Sequence, residues 1–130
     1  MNKKKWLQLA FLVGAIGVSI AMLFFVVSST MIGYQVKEDC AEAQAEYGGA
    51  CVPALMLLLE DENNSYALRN SAIWALGQMG DAQALPVLEN YYTGNIPEGS
   101  SLEDALSQLL LSRAIALIQG GFNLTAWAWR

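Results

Sequence analysis

Residues 71–91 read SAIWALGQMGDAQALPVLENY. Ala72, Ala75, Leu76 and Met79, with Leu68 ahead of them, fall on one face at helical spacing, which predicts a helix over about Tyr66–Met79. Gly80-Asp81 makes a turn, and another helix follows over about Ala82–Tyr92. Upstream, Asp61-Glu62-Asn63-Asn64-Ser65 is a loop that supplies caps, and Val52–Glu60 is a short apolar helix. Pro53 sits near its first turn, where a missing N–H costs little. Gln35–Tyr47 reads as a polar helix rich in Ala and Glu, stopped by Gly48 and Gly49. Downstream, the loop Thr93–Ser100 holds Gly94, Pro97 and Gly99. Ser101 is then expected to cap a last helix, Leu102–Ile118, with Asp104 suited to its N-terminal dipole. Outside the brief tail no stretch alternates like a strand, so the fold class is all-α.

The helices repeat. Val52-Pro53-Ala54-Leu55 returns as Leu85-Pro86-Val87-Leu88 at a spacing of 33, and Ala72-Ile73 returns as Ala114-Ile115 at a spacing of 42. The pattern resembles the HEAT repeat, in particular the short HEAT-like type named after phycocyanobilin lyases. Ala72, Ala75-Leu76-Gly77, Gly80-Asp81, Pro86 and Leu88 carry the resemblance, and Pro53-Ala54-Leu55, Leu58-Leu59, Asp61 and Arg69 fit the part before it. It covers about residues 50–92 well and 101–119 loosely. It implies a helical-repeat fold of about two helix pairs and says almost nothing about activity. By the same resemblance Asp61, Arg69, Asp81 and Pro86 are structural, with the Asp and Arg tying neighbouring repeats together. Stacked repeats become stable at about three or more. Two are few, so the exposed ends must be covered by the 35–47 helix, a disulfide, the membrane surface or another subunit.

Charge divides the chain. Lys3, Lys4 and Lys5 stand at the N-terminus, and no acid precedes Glu38. Residues 31–130 hold four cations against twelve acids, a net charge of −8. Between the halves, Leu7–Val27 runs without a charge. As a helix it is about 32 Å long, enough for a hydrocarbon core of about 30 Å. Trp6 and Tyr34 flank it about 42 Å apart, near the full membrane thickness. The basic end is expected in the cytoplasm and the acidic domain in the periplasm or another exported space, in a single-pass inner or plasma membrane protein. A cleaved signal peptide is the rival reading, but its apolar core is usually only about 7–15 residues. Ala10, Gly14, Gly17 and Ala21 form one stripe, a candidate face for another helix. The resulting layout is a cytoplasmic N-terminus at 1–6, a transmembrane helix at 7–33, a linker helix at 34–49, a HEAT-like domain at 50–121 and an aromatic tail at 122–130.

Cys40 and Cys51 flank Gly48-Gly49. Cys40 lies about 10 Å before the helix end at Tyr47, and the residues from Gly48 onward can span that distance. An exported domain permits the disulfide, which would contribute about 2–3 kcal/mol in the chain-entropy model. Two buried thiols are the plainer alternative. With two Cys and no His, a metal site lacks soft ligands, and a Ser–His arrangement is impossible. Glu60-Asp61-Glu62 lacks the alternating oxygens and Gly of a calcium loop and reads as a solvated helix end. Asn63-Asn64-Ser65 and Asn123-Leu124-Thr125 match glycosylation sequons, which matter only in a eukaryotic secretory pathway. The acidic domain repels phosphate backbones, which argues against nucleic acid. No cofactor, metal, catalytic residue or small-molecule substrate is expected.

In the tail, Trp127 and Trp129 would share a face if extended. Trp127, Trp129 and Arg130 are partner-binding candidates; the tail would cap the last repeat, dock into another subunit, or rest at the membrane interface. These readings lead to a non-enzymatic accessory or scaffolding subunit of a larger membrane complex, its partners being other membrane-protein subunits and the lipid bilayer. The alternatives are a regulatory module that binds a peptide or protein transiently, and a small lyase- or chaperone-like protein acting on a cofactor-bearing partner.

Overall fold

The computed structural model describes residues 2–99 and 101–130. All its regular elements among them are helical. Helix α1 runs unbroken over Lys3–Tyr47, about 67 Å at 1.5 Å per residue. The expected span and linker helix are therefore one element. No residue from Lys3 to Phe24 is buried, and this part is long and apolar enough to cross a membrane. From Ser29 onward the same helix turns one face inward: Ser29, Gly33, Val36, Asp39 and Ala43 are buried, at spacings of three and four.

Gly48 ends α1 with φ 71°, a conformation that L side chains rarely adopt. The chain doubles back into α2, Cys51–Glu60, which packs between the outer part of α1 and α3, Tyr66–Met79. The Ser65 hydroxyl caps α3 by accepting from Leu68 N–H at 3.2 Å, and Gly80 closes it at φ 67°. The Asp81 carboxylate accepts from Gln83 N–H at 2.9 Å and starts a 3-10 turn, Ala82–Ala84. That turn leads into α4, Leu85–Tyr91, with Pro86 in its first turn. The expected 82–92 helix is thus split into a tight turn and a shorter α-helix.

The last repeat helix starts later than its sequence suggests. Helix α5 spans Gln108–Ile118, and its cap is Ser107, whose hydroxyl accepts from Leu110 N–H at 3.2 Å. Ser101 instead accepts from Glu103 N–H at 3.2 Å in a local turn. The cause lies on α3. Asn70 Nδ2 donates to the carbonyls of Leu102 and Ala105, at 2.8 and 2.9 Å, and Asn70 Oδ1 accepts from Ser107 N–H at 2.8 Å. These bonds take the backbone groups that a helix through 102–107 would use for itself.

The core joins all five of these helices. Leu55, Leu58 and Leu59 from α2, Ile73 and Leu76 from α3, Leu88 from α4 and Leu111 from α5 are fully buried. The repeated pairs occupy matching places: Leu55 and Leu88 are buried, as are Ala72-Ile73 and Ala114-Ile115. Outer α1, α3 and α5 form one row, and α2 and α4 form the other. The outer part of α1 therefore covers the open side of the first repeat.

Candidate functional site

Three clusters hold the side chains singled out by the sequence. At the first, Cys40 on α1 and Cys51 at the start of α2 are brought to disulfide distance, with their Cα atoms 5.1 Å apart. Met79 at the end of α3 sets its thioether 3.3 Å from Cys51 Sγ and 3.9 Å from Cys40 Sγ. The sulfur cluster thus ties α1, α2 and α3 at one point.

The second cluster is structural. Arg69 is buried, and its Nε donates to the Leu59 carbonyl at 2.8 Å, satisfying a group at the end of α2. Its guanidinium lies 5.8 Å from the centre of the Tyr66 ring and 5.6 Å from that of Tyr91. Asp61 instead takes the Tyr47 hydroxyl at 2.8 Å and both Asn63 N–H and Nδ2, at 2.9 and 2.8 Å. The Asp and Arg therefore reach neighbouring elements through separate partners. The bonds from Asn63, then from Tyr47, hold the Asp61 carboxyl below its ordinary value. Tyr47 shifts upward through desolvation, with Asp61 adding to it.

Asp39 is the unusual acid. It is 7% exposed; Oδ1 accepts from Gln35 at 3.1 Å and Ser71 at 3.0 Å, while Oδ2 is buried without a partner among the described residues. Burial pushes its pKa up, the bonds from Gln35 and Ser71 oppose the shift, and Glu38 adds to it. A raised folded-state value means that the associated stability is fully present below the ordinary carboxylate range and is lost as pH rises through the folded pKa. Asp39→Asn is therefore expected to raise the melting temperature at pH 7–8 and to lose that advantage toward pH 4. Thermal unfolding of the two chains across this range checks it. An advantage that does not change with pH would contradict it.

The third cluster is the tail. Instead of an extended segment, Ala126–Trp129 forms a helical turn, α6, against α1. Residues two apart on a helix point roughly 200° apart, so the tryptophans diverge. Trp127 is 86% exposed, whereas Trp129 lies on Gly33, where an added Cβ would come within 2.8 Å of its Cβ. Arg130 Nε donates to the Gln78 carbonyl at 2.8 Å, and its Nη2 donates to the same oxygen. This cation and its donors cover the C-terminal end of α3, and a side chain at Gly80 would run into them. Asn123 Nδ2 adds a bond to Gln78 Oε1 at 2.8 Å. The tail caps α3 and braces α1.

The stripe Ala10, Gly14, Gly17 and Ala21 is exposed, with nothing within 4 Å of an added Cβ at either glycine. Asn70, Gly33, Gln78, Tyr47 and Asp39 were not singled out by the sequence. Asn70 did carry a signal: it shares a helical row with Ile73 and Gly77, both buried. A polar residue on the core row of a helix needs partners.

Among the described residues no group of acids and cysteines could hold a metal ion. The chain belongs to the HEAT-repeat family: the family model for HEAT repeats matches residues 34–107, more than half of its length. The match begins five residues after Ser29, the first buried residue of α1, so most of the outer part of α1 is included in the matched segment. Neither a characterised protein nor a solved structure matches the chain. HEAT repeats generally mediate protein–protein interaction, and the family is typically non-catalytic.

Proposed function

We propose that this chain is a non-enzymatic accessory or scaffolding subunit of a larger membrane complex. The first part of α1 anchors it, with the lysines in the cytoplasm and the repeat domain in the periplasm or an equivalent exported space. The observation that carries this reading is α1 itself: one unbroken helix leads from a fully exposed apolar segment into the core of the repeat domain. A partner holding the span thereby sets the position of the domain. The disulfide between Cys40 and Cys51 suits the exported side. The stripe at Ala10, Gly14, Gly17 and Ala21 offers the close approach that helix contacts in lipid require.

Mutating both Gly14 and Gly17 to leucine tests this proposal. Neither glycine touches the folded domain, so the domain should melt unchanged while the partners that co-purify in mild detergent are lost. Unchanged recovery of the same partners would contradict the stripe as the packing face. The transient-binder alternative draws on an open recess of about 320 Å³ lined by Trp74, Leu102 and Leu110. Under that alternative the double variant keeps its activity and no stable assembly is isolated from the wild type.

A further inference from the structure

We infer that the groove between α1 and the tail seats one glycerophospholipid molecule, held through its phosphate and ester oxygens. The inference rests on the membrane anchoring proposed above. Gly33, on which Trp129 packs, lies six residues beyond Val27, or about 9 Å along the helix. That is headgroup depth when the uncharged run Leu7–Val27 fills the hydrocarbon core. The groove has a volume of about 560 Å³, and Phe25, Val26, Tyr34 and Trp127 give it apolar walls.

Its polar side chains are the hydroxyls of Ser29, Thr30 and Tyr34, the Lys37 ammonium and the Trp129 indole N–H, and the Thr30 hydroxyl already donates to the Val26 carbonyl at 2.8 Å. The Ser29 hydroxyl, on a residue 3% exposed, and the Trp129 indole N–H are both buried without partners among the described residues. Lys37 lines the same groove and is exposed. It is the only cation between Lys5 and Arg69, and among the described residues no carboxylate lines the groove. Unpaired buried donors favour a ligand that brings acceptors. A phosphodiester beside two ester carbonyls supplies acceptors and a negative charge, and its acyl chains suit Phe25 and Val26. At about 100° per residue, the α1 residues of the groove centre roughly 140° round the helix from the small-residue stripe. A partner helix on the stripe therefore leaves the groove facing lipid.

The test uses the full chain in mild detergent, with bound lipid read by native mass spectrometry. Dioleoyl-phosphatidylglycerol, dioleoylglycerol and inorganic phosphate are the probes. One phosphatidylglycerol should remain per chain, with dioleoylglycerol at least tenfold weaker and inorganic phosphate unable to displace it. The combined variant Ser29→Ala, Lys37→Gln, Trp129→Phe should bind at least tenfold more weakly, and Lys5→Gln should match the wild type. Equal retention of the two lipids, full displacement by phosphate, or undiminished binding by a folded triple variant would overturn the inference. If the triple variant does not fold, the two-lipid comparison on the wild type decides. Vesicle flotation separates the two levels. A chain that floats but retains no phosphatidylglycerol removes the lipid seat alone, whereas a chain that does not float removes the anchoring as well.

Discussion

A Gly77→Val chain is expected to lose about 2–3 kcal/mol of domain stability and to melt roughly 10 °C or more below the wild type. An added Cβ at Gly77 would stand 2.7 Å from Ala114 Cα and 2.8 Å from Ala114 Cβ. The first of these is backbone, so no flexible side chain can swing aside. Replacing a helical glycine ordinarily helps, since glycine costs up to about 1 kcal/mol relative to alanine. Valine recovers only part of that, and its two methyl groups deepen the clash. The separation of α3 from α5 should therefore outweigh the propensity gain. Thermal unfolding of the full chain in detergent measures the difference. Gly17→Val is the comparison, because nothing in the domain lies near Gly17. Equal melting of the two variants would show that α3 and α5 do not approach this closely.

Removing the Asn70 amide should have a comparable effect by another route. Asn70→Leu keeps about the same volume but strips partners from Leu102 carbonyl, Ala105 carbonyl and Ser107 N–H. A buried group left without a partner costs about 1–3 kcal/mol. Water reaches part of this loop, so the total should be roughly 3–4 kcal/mol. Hydrogen exchange gives the sharper reading. The α5 amides should lose protection first, because the 102–107 segment that positions their first turn is released. Asn70→Asp should be at least as damaging: it keeps an acceptor for Ser107 but turns a second oxygen toward two carbonyls. Protection of α5 that survives both changes would mean the loop is held by something other than Asn70.

These two residues also show what the sequence could reveal. Gly77 was visible as part of the Ala-Leu-Gly ending, and the burial of Leu55, Leu76 and Leu88 follows from their spacing. Local chemistry sufficed for the capping loop that ends at Ser65 and for the turn at Gly80-Asp81, because each depends on residues within one turn. The start of α5 was not local. Ser101 reads as a cap until Asn70, 31 positions earlier in the chain, claims the backbone that follows it. The seat of the tail is not local either: Gly33 and the carbonyl of Gln78 provide a surface that only the folded chain creates. Outer α1 reads as a polar linker since its exposed residues are charged, and its buried row includes Ser29, Gly33 and Asp39, which carry little hydropathy signal.

That buried row gives the domain the cover that two repeats lack. The domain thereby has less need of a partner to close its first repeat. The proposed complex rests on the unbroken helix and on the exposed small-residue face of its apolar part. Native size after mild extraction tests the central claim most directly. The account predicts that the wild-type chain migrates within an assembly several times its own 14.1 kDa, beyond what bound detergent explains, together with other membrane subunits. A well-folded, monodisperse monomer, obtained under conditions that preserve other membrane complexes from the same cells, would contradict it.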